Sequence, residues 1–459
     1  MLHINKYIEA NQDRFIDELI DFLRIPSIST LKEHAEDVYR AAAFVKNKLL
    51  DAGADHARLI ETMGYPLVYG TKIVDENLPT VLVYGHYDVQ PADPYVLWET
   101  SPFEPVVKED KIYARGASDD KGQVYMHIKA LESMIATNQL PCNVKFMIEG
   151  EEESGSEGLA HFLKDSGNHT LFQADTMLVS DTSLFSLEQP SLTTGLRGIV
   201  YVEIEVTGPN RDLHSGAYGG AVGNPINILC QMIASLQDEH HRITIPGFYD
   251  RVEVLSEGDQ TMLDQIPFSL QQYQEGLGIE AVIGEQGYTT IERTSRRPSL
   301  DINGIWGGYT NEGEKTVLPS KAHAKLSMRL VPHQDAQEIV TQFTHYFTAL
   351  APKGVKIKVK VAHAGSDAMV VNNDSIALQA AQNAFNEIWD KQPMLLRDGG
   401  SIPIIAQCKK VLGCDIVMMG FGLDSDAIHS PNEHFGLVNF FKGMDTIIAF
   451  YRHFAMLHA

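Results

Sequence analysis

The chain has 459 residues, beyond the length at which one hydrophobic core keeps growing, so two domains are expected. With 44% apolar and 21% charged residues it has the composition of an ordinary globular chain, and a formal charge of -23 argues against nucleic acid or an anionic membrane surface as a partner. The amino terminus, Met1-Leu2-His3-Ile4-Asn5-Lys6-Tyr7, lacks a basic segment followed by an apolar run, and no stretch approaches the about 18 apolar residues of a membrane span, so a cytoplasmic location is expected.

Residues Tyr7 to Leu23 carry Ile8, Phe15, Leu19 and Phe22 at helical spacing, and Ile25-Pro26-Ser27 stops them. Asp37 to Leu50 repeats the pattern with Val38, Ala42, Phe44, Val45 and Leu49. Both read as scaffold helices. The stretch Val81-Leu82-Val83-Tyr84-Gly85-His86-Tyr87-Asp88 then reads as a strand that runs out of apolar residues at a histidine and an aspartate. After the loop Gln90-Pro91-Ala92-Asp93-Pro94, the segment Arg115-Gly116-Ala117-Ser118-Asp119-Asp120-Lys121-Gly122 enters a helix with Val124, Ile128, Leu131 and Ile135 on one face. Asp119 and Asp120 therefore sit at a helix mouth. The helix N-terminus offsets only part of their charge, and another cation is expected beside them.

Three later segments repeat the design of the first strand. Val144-Lys145-Phe146-Met147-Ile148 ends in Glu149-Gly150-Glu151-Glu152-Glu153, and Thr176-Met177-Leu178-Val179-Ser180 ends in Asp181. Ile416-Val417-Met418-Met419-Gly420 leads into Asp424, Asp426 and His429. In an open α/β sheet ligands bind where the loops leaving the strands converge, at their carboxyl edge. The expected fold class is thus α/β, a catalytic domain with a mixed sheet between helices.

From about Arg197 the texture changes. Val200, Val202, Ile204 and Val206 alternate with polar residues, a helical run spans Pro225 to Leu236, an alternating strand spans Ala322 to Leu330, a helix spans Asp335 to Leu350, and Val355-Lys356-Ile357-Lys358-Val359-Lys360-Val361 alternates again. This predicts an inserted α+β domain over residues 197–365, with 1–196 and 366–459 forming the other domain. The first domain resumes with a helix from Ile376 to Trp389 and the loop Arg397-Asp398-Gly399-Gly400-Ser401-Ile402-Pro403. Asp238 to Arg297, rich in Gln, Glu and Gly with weak periodicity, leaves its elements unassigned. The four cysteines, Cys142, Cys230, Cys408 and Cys414, form no CxxC pair and read as buried free thiols. His127, His240, His241, His345 and His453 read as surface or packing residues.

Each of these motifs alone has a bland reading. An HxD is common, an acid triplet is ordinarily a solvated loop, and Asp119-Asp120 alone would be a helix cap. Their joint occurrence at strand ends and a helix mouth points to metal. His86, Asp119, Glu153, Asp181 and His429 suffice for two zinc ions, one carboxylate bridging and each ion keeping one histidine and one terminal carboxylate. Two ions about 3.5–4 Å apart polarise a carbonyl and lower the pKa of a shared water toward ~7, as amide hydrolysis requires. Asp88 can turn back to the other ring nitrogen of His86 and orient it. Glu152 is then free to take the proton of the water.

Tyr84-Gly85-His86-Tyr87-Asp88-Val89-Gln90-Pro91, Arg115 to Gly122, Glu152-Glu153-Ser154-Gly155-Ser156, Ser180-Asp181 and His429-Ser430-Pro431-Asn432-Glu433 resemble the successive motifs of the zinc dipeptidase family of carnosine dipeptidase and cytosolic non-specific dipeptidase, which is related to succinyl-diaminopimelate desuccinylase and aminoacylase. The likeness runs in order over nearly the whole chain. It implies that Asp119 bridges two metals, often with a cis peptide bond to Asp120, that His86 with Asp181 and Glu153 with His429 complete the two sites, and that Mn2+ or Co2+ can stand for Zn2+. It implies further that the inserted domain serves as a lid and dimerisation domain. There Asp212-Leu213-His214-Ser215-Gly216 matches the segment whose histidine reaches the partner subunit's oxyanion, and Thr316, Arg329 and Ser401 match substrate-binding positions. Glu151 departs from the family pattern, and Ser154-Gly155-Ser156, directly after the ligand, sets the register.

The residues of the Arg329 strand agree with that assignment. Ala322, Ala324, Leu326, Met328 and Leu330 face one way, which sends His323, Lys325, Ser327 and Arg329 to the other. The expected activity is hydrolysis of dipeptides with a free C-terminal carboxylate in a homodimer. N-acyl or N-succinyl amino acid deacylation with the same metal centre is the alternative.

Overall fold

The computed structural model describes residues 2–361 and 365–459, so residues 362–364 of the predicted inserted domain lie outside the described part. The chain divides into two compact units, one of residues 1–194, 371–396 and 407–459, the other of residues 195–370 and 397–406. Arg397 to Ala406, which contains Ser401, thus groups with the second unit rather than with the first, where the sequence reading put it.

The sheet of the first unit runs in the order His56–Ile60, Leu67–Lys72, Asn143–Glu149, Thr80–His86, Thr176–Val179, Asp415–Met418, Ser191–Leu196. Its inner four strands are mutually parallel and the flanking pairs antiparallel, so the sheet is mixed and the α/β expectation holds. The four parallel strands are the four apolar runs read from the sequence. In register, His86 lies opposite Glu149 and Tyr84 opposite Val179, while Val179 lies opposite Met418, so their carboxyl ends reach one edge together.

The helix Lys121–Ala136 departs from the one-sided pattern expected of it: every residue from Lys121 to Met134 is buried. It packs against the Thr80–His86 strand and is covered by the helices Leu2–Leu23 and Leu437–Leu457. Most of its polar side chains find partners inside, the buried Nδ1 of His127 being an exception. Lys121 Nζ donates to the carbonyls of Phe22 (3.2 Å) and Ile25 (2.6 Å), where the first helix ends. Lys129 Nζ donates to Glu18 and Glu132, and His127 Nε2 meets Ser180 Oγ at 2.8 Å. Burial pushes the His127 imidazole down to about 3, so it packs as a neutral ring. Three of the cysteines are buried as expected, whereas Cys230, on the outer side of the helix Pro225–Ala234, is exposed.

In the second unit a four-stranded antiparallel sheet runs Ser299–Gly307, Lys321–Leu330, Gly198–Thr207, Lys356–Val361. Strict alternation of buried and part-exposed positions sends Val200, Val202, Ile204, Ala324, Leu326 and Met328 to a core roofed by the helices Pro225–Ala234 and Ala336–Ala349. The other face is charged, with Lys321 paired to Glu205 at 2.9 Å and Lys325 to Glu203 at 3.6 Å. The stretch that the sequence left unplaced, Asp238 to Arg297, contains three short helices, Glu257–Asp264, Leu270–Leu277 and Thr290–Ser295. Capping boxes at Ser256/Asp259 and Thr289/Glu292 start two of them. Among the described residues no helix is long and apolar enough to cross a membrane.

Candidate metal centre

The shared edge of the parallel strands gathers His86, Asp119 and Asp181 in one group, and Asp119, Glu153 and His429 in a second, each with its ligand atoms within 4.8 Å of one another. The Asp119 carboxylate is common to both, and it gives one oxygen to each histidine. Its Oδ1 lies 3.0 Å from His86 Nε2 and its Oδ2 2.9 Å from His429 Nε2. Asp181 Oδ2 is 3.8 Å from His86 Nε2, and Glu153 Oε1 is 3.4 Å from His429 Nε2. All five residues singled out as ligands are thus brought together.

Three buried carboxylates staple the segments that carry these groups. Asp88 accepts from the main-chain N–H groups of Glu152 (3.3 Å) and Glu153 (3.1 Å) and from Ser29 Oγ (2.6 Å). Its Oδ1 also lies 3.3 Å from His86 Nδ1, which is 3.1 Å from the Asp88 carbonyl as well, so that ring nitrogen meets two acceptors and Nε2 is left to face the cluster. Asp120 Oδ2 accepts from the His86 N–H at 3.1 Å, tying the helix mouth to the strand end. That approach needs Gly85, because a Cβ there would stand 2.5 Å from Val124 Cγ2 and 2.7 Å from the Asp120 carboxylate. The peptide between Asp119 and Asp120 is cis. Glu433 is the third staple and binds the loop of Asp119 from the loop of His429.

The loop that carries His429 holds Ala427, His429 and Asn432 at φ of 57°, 62° and 66°, a left-handed conformation uncommon for non-glycine residues and unfavourable above all for Ala427. His429 itself is half exposed, with 53% of its side chain open to solvent.

The electrostatics of the cluster suit cations. Burial opposes the Asp119 charge, yet the two histidines hold its carboxyl well below the usual range. Burial, and then the Asp119 charge, push Asp181 up to about 7 and raise Glu153. Burial also lifts Glu152 far above the carboxylate range, with Asp181, Glu153 and Asp119 adding to the effect. The Asp119 carboxylate, 2.9 Å from His429 Nε2, and then the Glu153 carboxylate, 3.4 Å from it, raise His429 to about 10. Glu153 Oε1 is buried and accepts no hydrogen bond. Acids that repel one another in a buried cluster, with an orphaned carboxylate oxygen aimed inward, fit a pair of divalent ions.

Glu152 makes no side-chain hydrogen bond among the described residues. The Glu151 carboxylate turns away from the cluster, accepts from Gly158 N at 3.2 Å and lies against Gly64. In the second unit the predicted substrate residues fall in two pairs. His214 stands opposite Val317, next to Thr316, whose carbonyl accepts from Ser215 N at 3.0 Å. Arg329 Nη1 donates to Ser401 Oγ at 2.7 Å, and Ser401 Oγ donates in turn to the Arg197 carbonyl. Arg197 was not singled out from the sequence. It is anchored by donation to the carbonyls of Gly399 (2.9 Å), Arg293 and Arg297, and burial with the neighbouring Arg329 charge pushes it down to about 10.

A parallel-sheet edge presenting two ligand triplets around one shared carboxylate defines a site of the dinuclear-metal class. The chain belongs to the peptidase family M20/M25/M40, whose model matches residues 82–453. It is 33% identical to the Cys-Gly metallodipeptidase DUG1 of Candida albicans, covering 96% of this chain and 94% of the relative. It is 31% identical to the Beta-Ala-His dipeptidase of Rattus norvegicus, covering 99% and 95%. The solved structure of the dipeptidase Dug1p from Saccharomyces cerevisiae superposes with a TM-score of 0.87 at 29% identity, covering 99% of this chain and 98% of that one.

Proposed function

We propose that the chain is a metallodipeptidase that hydrolyses dipeptides bearing a free C-terminal carboxylate, with His86, Asp119 and Asp181 holding one divalent ion and Asp119, Glu153 and His429 the other. The observation that carries this reading is the pair of triplets sharing Asp119 at the carboxyl edge of four parallel strands. Zn2+ in this reading, with Mn2+ or Co2+ as substitutes, would supply Lewis acidity there to the scissile carbonyl and to the attacking water. Glu152 takes the proton of that water and returns it to the departing amine. Asp88 holds the His86 ring so that Nε2 faces the cluster. Arg329, steadied by Ser401, binds the substrate carboxylate, and Thr316, beside His214, is a further substrate-binding residue.

The reading extends to a homodimer formed through residues 197–365, acting in the cytoplasm, in which His214 completes the partner's site. His214 supports this by its exposure and by its tautomer: Nδ1 accepts from Gly216 N at 3.0 Å, so a neutral ring carries its proton on Nε2, ready to donate to an oxyanion. Mixing inactive His214→Ala subunits with inactive Glu152→Gln subunits is expected to restore part of the activity after exchange. Verified heterodimers without activity count against a shared site.

Zinc-loaded protein assayed against dipeptides, tripeptides, dipeptide amides and N-acyl amino acids tests the substrate class. Free dipeptides are expected to turn over at least ten-fold faster than the other three. Rapid release of a C-terminal residue from longer peptides would make the enzyme a carboxypeptidase. N-succinyl substrates cleaved while dipeptides stay inert would make it a deacylase.

A further inference from the structure

We infer that Glu433 is a positioning residue for the metal centre: it locks the loop carrying His429 to the loop carrying Asp119, and so fixes the ion held by Asp119, Glu153 and His429 more than the other. The inference rests on the metal reading above. Glu433 is fully buried, four positions beyond His429, and its carboxylate collects four donors from the other loop. Oε2 accepts from Arg115 Nη1 at 2.7 Å and Gly116 N at 2.9 Å, and Oε1 accepts from Ser118 N at 3.0 Å and Asp119 N at 3.1 Å. The Glu433 carbonyl also accepts from Ala114 N at 3.1 Å. A buried carboxylate with one guanidinium and three main-chain donors is fully satisfied, so it has no capacity left to bind an ion itself.

Two further observations give the clamp something to do. The His429 loop holds Ala427, His429 and Asn432 in left-handed conformations, at Ala427 against local preference, so its anchors contribute to its shape. His429, being half exposed, is not fixed by packing either. A second anchor on the same loop is Asn432, whose Oδ1 accepts from Glu99 N at 2.7 Å and whose Nδ2 donates to the Leu97 carbonyl at 3.1 Å. The other triplet has a separate tie, the His86 N–H to Asp120 bond, which does not pass through Glu433. Loosening Glu433 therefore moves His429 relative to Asp119 and leaves the His86 side in place.

The test is the zinc content and zinc affinity of the full-length protein, read by dialysis against buffers of graded free Zn2+, independently of turnover. Wild type is expected to hold two ions. Glu433→Gln, which keeps the shape but offers the four donors one oxygen and an amide, is expected to hold one ion unchanged and to bind the second about 10- to 100-fold more weakly. Added to His429→Ala, the same substitution is expected to cost no further affinity, because it acts through His429. Asn432→Gly keeps the left-handed backbone, removes the other anchor from a partly exposed position and is expected to weaken the same ion less. It decides the matter if Glu433→Gln does not fold. Equal weakening of both ions, no weakening in a folded variant, or a full additional loss on the His429→Ala background would overturn the role of Glu433. A wild-type protein binding fewer than two ions would overturn the metal reading itself.

Discussion

Glu152→Gln is expected to lower kcat by about 10²- to 10⁴-fold while both ions stay bound and KM changes little. The substitution preserves the volume and removes only the ability to take a proton. Glu152 is suited to that task because its carboxylate is committed to no hydrogen bond among the described residues, whereas its neighbours are: Asp88 receives three donors, and Glu153 Oε2 receives Gln90 Nε2 at 2.7 Å. Burial and the charges of Asp181, Glu153 and Asp119 raise its proton affinity. Loading the cluster with cations brings that affinity down again, which places a base beside acidic water rather than a permanently protonated acid. Glu151→Gln is the control. Its carboxylate is tied to Gly158 N and faces Gly64, so turnover is expected to stay within about two-fold of wild type, the size of an ordinary surface change. If Glu151→Gln abolished turnover and Glu152→Gln did not, the base would lie one position earlier than argued here. Metal analysis of both variants separates loss of the base from loss of an ion.

The parallel strands were legible in the sequence for a physical reason. A strand buried on both faces reads as a continuous apolar run, and such a run can end only where the chain meets solvent or a ligand. Val81 to Asp88 and Thr176 to Asp181 end at histidine and carboxylates, so the candidate ligands stood out beside them. The staples did not stand out. Asp120 reaches back 34 positions to His86 and Glu433 some 315 to Ser118, and no spacing rule registers a hydrogen bond across such a separation. Glu433 and Asp120 lay inside motifs read for their neighbours, and only the fold assigns them partners. Arg197 escaped because its donors go to main-chain carbonyls, which carry no residue identity. The short helices after Ser256 and Thr289 left a readable sign, the capping boxes, but six to eight residues are too few for a hydrophobic period to emerge. The helix Lys121–Ala136 misled in the opposite sense. Its apolar stripe suggested one buried face, whereas its polar residues are buried as well, Lys121, Gln123, His127 and Lys129 against partners supplied by other segments.

Arg329→Ala is expected to raise KM for free dipeptides steeply, with kcat/KM falling roughly 30-fold to several thousand-fold, the range for truncating one partner of a desolvated charge pair at about 2–5 kcal/mol. The guanidinium is partly desolvated, burial lowering its pKa, and it is held by one edge through Nη1 to Ser401. The other edge makes no hydrogen bond among the described residues and presents a fork that matches a carboxylate. Arg197 stands close enough to add its charge, but its Nε and Nη1 donate to the carbonyls of Gly399, Arg293 and Arg297, which leaves Nη2 alone uncommitted among the described residues and no complete fork to replace that of Arg329. Arg329→Lys keeps a charge and loses the planar pair of donors, and is expected to recover only part of the affinity. Dipeptide amides give the deciding comparison. They offer Arg329 no carboxylate, so wild type handles them poorly and Arg329→Ala is expected to lose little more on them. A loss equal for acids and amides would mean that the substitution disturbs the Ser401 and Arg197 arrangement instead, and that the substrate carboxylate is bound by another residue.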